Sequence, residues 1–254
     1  MQILLASAKI MHDVLKTAPD VELSVPHFTH EAEAFARDMA QYSTEAIAEM
    51  FGCSLQIAGQ NKLRFMRFFE ETKKMPTILA YHGQAYKHLK AETLTEKDLN
   101  YAQVHLWITS LLYGLLRPLD GILPYRMEGS VELPSGAGEN MFVFWKSRLT
   151  DVLIKAVRAD DGVLVHLATE EYQHLFDWQR VRKEVRIVQP LFYVRKGNDL
   201  KMQAVWAKTC RGAMARFIIE HRITKPDDLR AFSYEGFKFE PLLGEADYPH
   251  FVRQ

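Results

Sequence analysis

Three groups of residues in this chain have types and spacing suited to chemistry on an anion. Arg117-Pro118-Leu119-Asp120 and Pro124-Tyr125-Arg126 flank Gly121. The two prolines fix the backbone on either side, and a rigid loop after an apolar run is a platform for a ligand. The planar forks of Arg117 and Arg126 suit phosphate or carboxylate, while Asp120 fits equally as the partner that neutralises one of them in a structural loop. Farther on, Lys208 to Arg222 reads as a helix. At about 100° per residue, Lys208, Arg211, Ala215 and Arg222 share one face, and Ala213, Met214, Phe217, Ile218 and His221 take the opposite one. The small Ala215 leaves room for a bulky ligand. Ile219 falls on the basic side, and the same pattern also describes a solvated face paired with acids.

The third group is a turn between two helices. Thr44 to Phe51 and Leu55 to Thr72 both read as helical, joined by Gly52-Cys53-Ser54, with Ser54 placed to cap the second. Met50 to Ala58 is similar to the apolar-x-Gly-apolar-Gly-x-x-x-Ala pattern of a helix-hairpin-helix, with Ser54 at the second glycine. Such elements present helix N-terminal amides to a DNA phosphate. Leu55, Ala58, Phe65 and Phe69 are expected on one side of the second helix, which leaves Lys62, Arg64 and Arg67 for other faces, where they can sit beside a phosphate. An αα-hairpin held only by its own packing fits the same spacing.

Other chemistries leave weaker marks. Lys9, Asp120, Tyr125, Arg126 and Arg211 can be assembled into an enzyme pocket for a nucleotide, a base or a damaged DNA end, because a desolvated lysine near a strand end acts as a base or nucleophile. No P-loop, GxGxxG, HExxH or nucleophile elbow is present, so no reaction class, cofactor or metal site is assigned. His166, Glu170, Glu171 and His174 raise direct iron binding, with Glu170 and His174 at i, i+4 spacing, against a reading as ordinary strand and surface residues. Cys210, between Lys208 and Arg211 near a helix start, reads either as an activated thiol or as a buried inert one.

The elements that must position these residues are legible as periodicity. Gln2 to Leu5, Thr77 to Tyr81, Leu106 to Ser110 and Val163 to Leu167 are short apolar runs that predict buried strands. Ala32, Phe35, Ala36, Met39 and Ala40 form a helical stripe, and Phe142, Trp145, Leu149, Val152 and Ala156 form another. Glu184 to Ala207 favours β-formers around Lys196-Gly197-Asn198-Asp199, which predicts a β-hairpin. The expected fold is mixed α/β (α+β), a central mixed sheet surrounded by helices. One domain over 1–254 is expected, with 31–74 as a helical helix-hairpin-helix insertion. The chain carries 32 Lys+Arg and 32 Asp+Glu, so its overall charge points to no polyanion and no membrane surface. Two unpaired cysteines, no secretory signal and no long apolar window make a cytoplasmic protein the expectation.

Several ordered motifs identify a resemblance. Leu112-Tyr113-Gly114-Leu115-Leu116-Arg117-Pro118-Leu119-Asp120 followed by Pro124-Tyr125-Arg126-Met127-Glu128, and Arg211-Gly212-Ala213-Met214-Ala215-Arg216-Phe217-Ile218-Ile219-Glu220-His221-Arg222, resemble signatures of the YaaA family of bacterial peroxide-stress proteins. Gly83-x-x-Tyr86, Phe144-Trp145 and His166 to Tyr172 match shorter signatures in the same order. The resemblance implies a helix-hairpin-helix beside a positively charged cleft and binding of double-stranded DNA without strong sequence preference. It also implies protection against hydrogen peroxide and lowered unincorporated iron. Under it, Gly52 and Ser54 shape a DNA-contacting turn, and Lys9, Arg117, Arg126, Lys208, Arg211, Arg216 and Arg222 line the cleft. The family's Ser-Pro-Ala-Lys stands here as Ala6-Ser7-Ala8-Lys9, and its Asn as His166.

Overall fold

A computed structural model describes residues 1–15 and 21–254. In chain order it runs β1 (Gln2–Leu5), α1 (Thr29–Met39), α2 (Thr44–Phe51), α3 (Leu55–Met66), β2 (Met75–Pro76), α4 (Thr77–Ala80), α5 (Gln84–Leu89), α6 (Glu96–His105), β3 (Leu106–Ser110), β4 (Gly114–Leu116) and β5 (Gly121–Ile122). There follow α7 (Met141–Ala159), β6 (Val163–Leu167), α8 (Trp178–Glu184), β7 (Arg186–Val188), β8 (Leu191–Lys196), β9 (Asp199–Lys201), α9 (Ala204–His221), β10 (Ser233–Tyr234), β11 (Phe237–Glu245) and β12 (Tyr248–Arg253). The fold is mixed α/β, as expected.

The first sheet has the order β4-β3-β1-β6-β7, with β3, β1, β6 and β7 parallel and β4 antiparallel at one edge. Every residue of β1 and β3 is buried, which is why both read as unbroken apolar runs rather than alternating ones. The chain leaves β1 for β3 on one side and later adds β6 on the other. That arrangement opens a crevice beyond the carboxyl end of β1.

Local chemistry sets the helix starts. Ser43, Ser54 and Asn140 each accept a hydrogen bond from a first-turn amide of α2, α3 and α7, and Thr95 and Asp98 close a capping box on α6. Between α2 and α3, Gly52 takes the left-handed conformation. The α3 stripe differs from the expected one. Ala58, Asn61 and Phe65 are buried, whereas Leu55 and Phe69 are exposed, and the helix ends at Met66. Thr77 to Tyr81 is a helical turn followed by an extended residue, not a strand. Its residues are buried on every side, and such a run does not distinguish a strand from a buried helical turn.

A second sheet, β10-β11-β12-β8-β9, pairs β8 and β12 in parallel. Of the hairpin expected over 184–207, β8 and β9 form the antiparallel pair with Gly197 and Asn198 between them, while β7 joins the first sheet. α9 starts at Ala204 and packs against α5, β1, β6 and β8. Ala215 and Ile219 are fully buried, so the face assigned to a solvent-facing basic stripe is largely core.

One approach is tight enough to set this arrangement. A Cβ on Gly212 would stand inside the carbonyl group of Ala85 on α5. Gly212→Ala is therefore expected to lower unfolding stability by about 1–3 kcal/mol or more through overpacking. At Gly59, in α3, a Cβ would meet only Thr44 Cγ2 at 3.7 Å. Gly59→Ala is expected to raise stability by about 0.5–1 kcal/mol. Urea titrations of both variants check the pair.

Candidate functional site

A cavity of about 310 Å³ lies beyond the carboxyl ends of β1 and β6. Its walls come from four segments: 5–10 after β1, 83–86 at the start of α5, 167–172 after β6, and Lys208 and Arg211 of α9. The segments are held by close contacts. A Cβ on Gly83 would lie 2.5 Å from Ala8 Cβ, and Tyr86 Oη donates to the Ala6 carbonyl at 3.0 Å. A narrower recess beside it shares Ser7, Lys9, Glu171 and Tyr172 and adds Tyr125, Arg126 and Glu128.

Hydroxyls line the boundary between the two. Ser7 Oγ and Tyr172 Oη are 3.0 Å apart. Behind them Tyr125 Oη lies 2.6 Å from Ser110 Oγ and 2.7 Å from Tyr81 Oη. Burial pushes Tyr81, Tyr125 and Tyr172 above the ordinary phenol range, so all three stay protonated near neutrality and serve as hydrogen-bonding groups rather than bases.

The expected cations separate into those that reach this cavity and those that do not. Lys9 Nζ donates to Glu128 at 2.6 Å and Arg126 pairs with the same carboxylate at 2.8 Å, so one acid neutralises much of two cations. Lys208 is exposed at the wall. Arg211 is the distinctive one. Burial lowers its pKa, the charge of Glu170 partly restores it, and no hydrogen bond to a described residue contributes.

Arg117, Arg216 and Arg222 lie elsewhere, which corrects their assignment to one cleft. Arg117 stacks 3.2 Å from the Trp107 ring centre and donates to the carbonyls of Val104 and Leu106, at the opposite end of β3. Burial lowers its pKa to about 10. Arg216 donates to the carbonyls of Leu89 and Lys90 at the end of α5 and pairs with Glu220. Arg222 caps α9 in the left-handed conformation, bonds the Ile219 carbonyl and pairs with Asp98 at 2.7 Å.

Asp120 is likewise structural. It accepts from the Arg117 amide at 2.8 Å and the Ser24 hydroxyl at 2.7 Å, away from Tyr125. In the helical hairpin, Lys62 donates to the Ala40 carbonyl at 2.6 Å and Arg64 pairs with Asp13 at 2.7 Å, so both are engaged by protein. The Ser54 hydroxyl caps α3, as its position suggested.

The other sequence candidates resolve simply. Among the described residues no group of three or more His, Cys, Asp or Glu side chains is placed to hold a metal ion. Glu170–Leu175 is a 3-10 segment, so Glu170 and His174 do not share an α-helical face. The Cys210 thiol is buried and pushed up to about 12, which makes it the inert alternative. Thr169, Tyr172, Gln84 and Ser7 were not singled out as site residues, and Glu171 was raised only for iron. The signal for them was their place in the matched stretches Ala6 to Lys9, Gly83-x-x-Tyr86 and 166–172.

Behind the cavity, His166 is fully buried beside Trp178, with ring centres 4.8 Å apart. Burial first, then the charges of Arg211 and Arg182, lowers its pKa to about 3 from 6.5. Between these values the unfolded chain binds the extra proton. Stability from neutral His166 is thus complete above pH 6.5 and lost as pH falls toward 3, with a slope of up to about 1.4 kcal/mol per pH unit. His166→Asn is expected to flatten this acid limb, as read from urea midpoints at pH 4.5 and 7.5.

Residues 1–243 match the family described as peroxide stress protein YaaA. The chain is 44% identical over 230 residues to a UPF0246 protein of Phocaeicola vulgatus, covering 90% of this chain and 89% of that one. It is 42% identical over 246 residues to a UPF0246 protein of Bacteroides thetaiotaomicron, covering 96% and 95%. With a UPF0246 protein of Porphyromonas gingivalis it shares 36% identity over 256 residues and the full length of both. Motif order, fold and these full-length similarities agree: the chain belongs to the YaaA family of peroxide stress proteins.

Proposed function

We propose that this protein acts in the peroxide stress response by binding double-stranded DNA with little sequence preference, in the cytoplasm. The observation that carries the reading is Arg211, a half-buried guanidinium with no hydrogen-bonded partner among the described residues, standing beside exposed Lys208 at the cavity wall. A desolvated cation of this kind is costly unless an anion meets it, and phosphate suits its fork. The family description supports the stress context. The surface offered to DNA is narrower than the sequence suggested: Lys208 and Arg211, with Lys9 and Arg126 flanking and the Gly52–Ser54 turn as a separate candidate contact.

A second reading, an enzyme acting on a nucleotide, base or damaged DNA end, is favoured by one feature. Ser7, Tyr172, Lys9 and Glu128 place two hydroxyls and an ion pair around the same recess. A positioned hydroxyl and a lysine are groups that proton transfer and nucleophilic attack use. Turnover of a DNA duplex or nucleotide, abolished by Lys9→Met with the fold intact, would select it.

Binding of labelled duplex across a salt series tests the first reading. Contacts to a few phosphates predict a log–log salt slope of about −0.9 per phosphate neutralised. Lys208→Glu is expected to weaken all duplexes by tenfold or more, whereas Arg186→Gln, which removes only a surface pair with Asp247, leaves binding unchanged. Equal binding by Lys208→Glu and the unaltered chain at low salt would sink the proposal.

A further inference from the structure

The cavity beside Arg211 has two unlike kinds of lining. Leu5, Ile10 and Leu167 give it aliphatic walls, and Tyr86 and Tyr172 add aromatic ones. Its polar lining holds Arg211, Lys208, Lys9 and Thr169 together with one carboxylate, Glu171. At about 310 Å³ the space lies at the small end of small-molecule sites, which run from about 300 to 1,000 Å³. A slot with apolar and aromatic walls and more cations than acids in its lining suits a planar group that carries a compact, strongly charged anion.

An independent observation points the same way. Thr169, in the cavity wall, has its Oγ1 buried without a partner among the described residues. Buried polar groups in folded proteins are almost always satisfied, so an unpartnered hydroxyl in the same wall as an unpaired guanidinium marks a place built around something else. The fold could have matched Arg211 with a carboxylate, as it does for Arg126 with Glu128 and Arg222 with Asp98. Instead, the contact of Gly212 with Ala85 fixes the neighbouring Arg211 at the cavity with only Glu170 acting on it through space.

We infer that this cavity is a site for a single nucleotide bearing a terminal phosphate, with the base against the aliphatic and tyrosine walls and the phosphate on Arg211, Lys208 and the Thr169 hydroxyl. A phosphomonoester carries close to two negative charges near neutrality, which matches two cations better than the single charge of an internal phosphodiester. Arginine can engage two of its oxygens at once, and the threonine hydroxyl supplies a further donor. Aromatic walls suit any base, because every base has a π-face. The chemistry is shared by two sources, a free nucleoside 5′-monophosphate and the phosphorylated end of a DNA strand. The inference deepens the DNA reading but stands on the cavity alone, since a free nucleotide needs no duplex.

The test uses the whole chain in calorimetric titration and thermal-shift measurements. Its probes are the four deoxynucleoside 5′-monophosphates, the corresponding nucleosides, inorganic phosphate, and one hairpin oligonucleotide with either a 5′-phosphate or a 5′-hydroxyl. Monophosphates are expected to bind at least tenfold tighter than nucleosides and than inorganic phosphate. Arg211→Gln is expected to lose tenfold or more, Arg211→Lys to recover part of that loss, and Thr169→Val to lose severalfold. Unchanged near-ultraviolet dichroism guards against misfolded variants, and competition by monophosphate on the unaltered chain needs no variant.

Preference for the phosphorylated hairpin end assigns the site to DNA ends, and monophosphate binding without that preference assigns it to free nucleotides; both support the site. If nucleosides, monophosphates and inorganic phosphate bind alike or not at all, and the hairpin end makes no difference, the inference falls even where duplex binding persists. Monophosphate binding with no duplex binding overturns the DNA reading and leaves this one standing.

Discussion

The meeting of α9 and α5 at Gly212 and Ala85 is the contact on which the rest of the molecule turns. Because no side chain separates the two backbones there, α9 sits deep enough to be buried on most of its circumference, touching both sheets through its other faces. The neighbouring approach of Gly83 to Ala8 fixes the loop after β1 to the start of α5. Two glycines thus bring together segments that are far apart in the chain, and the cavity is the space those segments leave between them. Close packing of this type tolerates little change in volume, so the site inherits its shape from the core.

Charge follows a similar division of labour. Most arginines whose spacing suggests binding are fasteners. Arg117 ties the end of β4 to the start of β3, Arg216 gathers the carbonyls that follow α5, and Arg222 joins the end of α9 to the capping box of α6. Each engages several backbone or carboxylate oxygens at once, a role for which a five-donor planar group is well suited. A guanidinium left outside that scheme is more informative than a count of basic residues, which is balanced in this chain by an equal number of acids.

How much of this could be read beforehand depended on range. The stripe of α1, the buried strands β1, β3 and β6, and the Ser54 cap are local patterns, and they stand in the structure as the periodicity implied. The α7 helix is where expected, but its stripe is turned: Met141, Phe144, Leu153 and Val157 join Trp145 and Leu149 in the core, while Phe142, Val152 and Ala156 are only partly buried. The hairpin around Gly197 was visible for the same reason. Partners were not. Nothing near Arg117 in sequence announces the Val104 carbonyl, and nothing near Lys62 announces Ala40. The parallel pairing of β8 with β12 joins segments more than fifty residues apart and leaves no periodic trace. Thr77 to Ala80 misled because total burial erases the difference between strand and helical turn. Of the cavity, Lys9, Lys208 and Arg211 were legible as cations, but its Leu, Ile, Thr and Tyr walls were not, because their significance is positional.

The placement of β12 in the interior of the second sheet has a consequence for synthesis. β12 lies between β11 and β8, so that sheet stays split until residues 248–253 have left the ribosome. α9, which is emitted earlier, packs against β8, and its seating is completed only when that sheet closes beside it. The first sheet, by contrast, has all its strands once residue 188 is out. A nascent chain therefore carries an organised first layer with an unfinished second one, and contacts far apart in sequence close late and slowly. A chain that stops short of β12 would therefore leave the second sheet split beside α9, the helix that supplies Lys208 and Arg211 to the cavity wall.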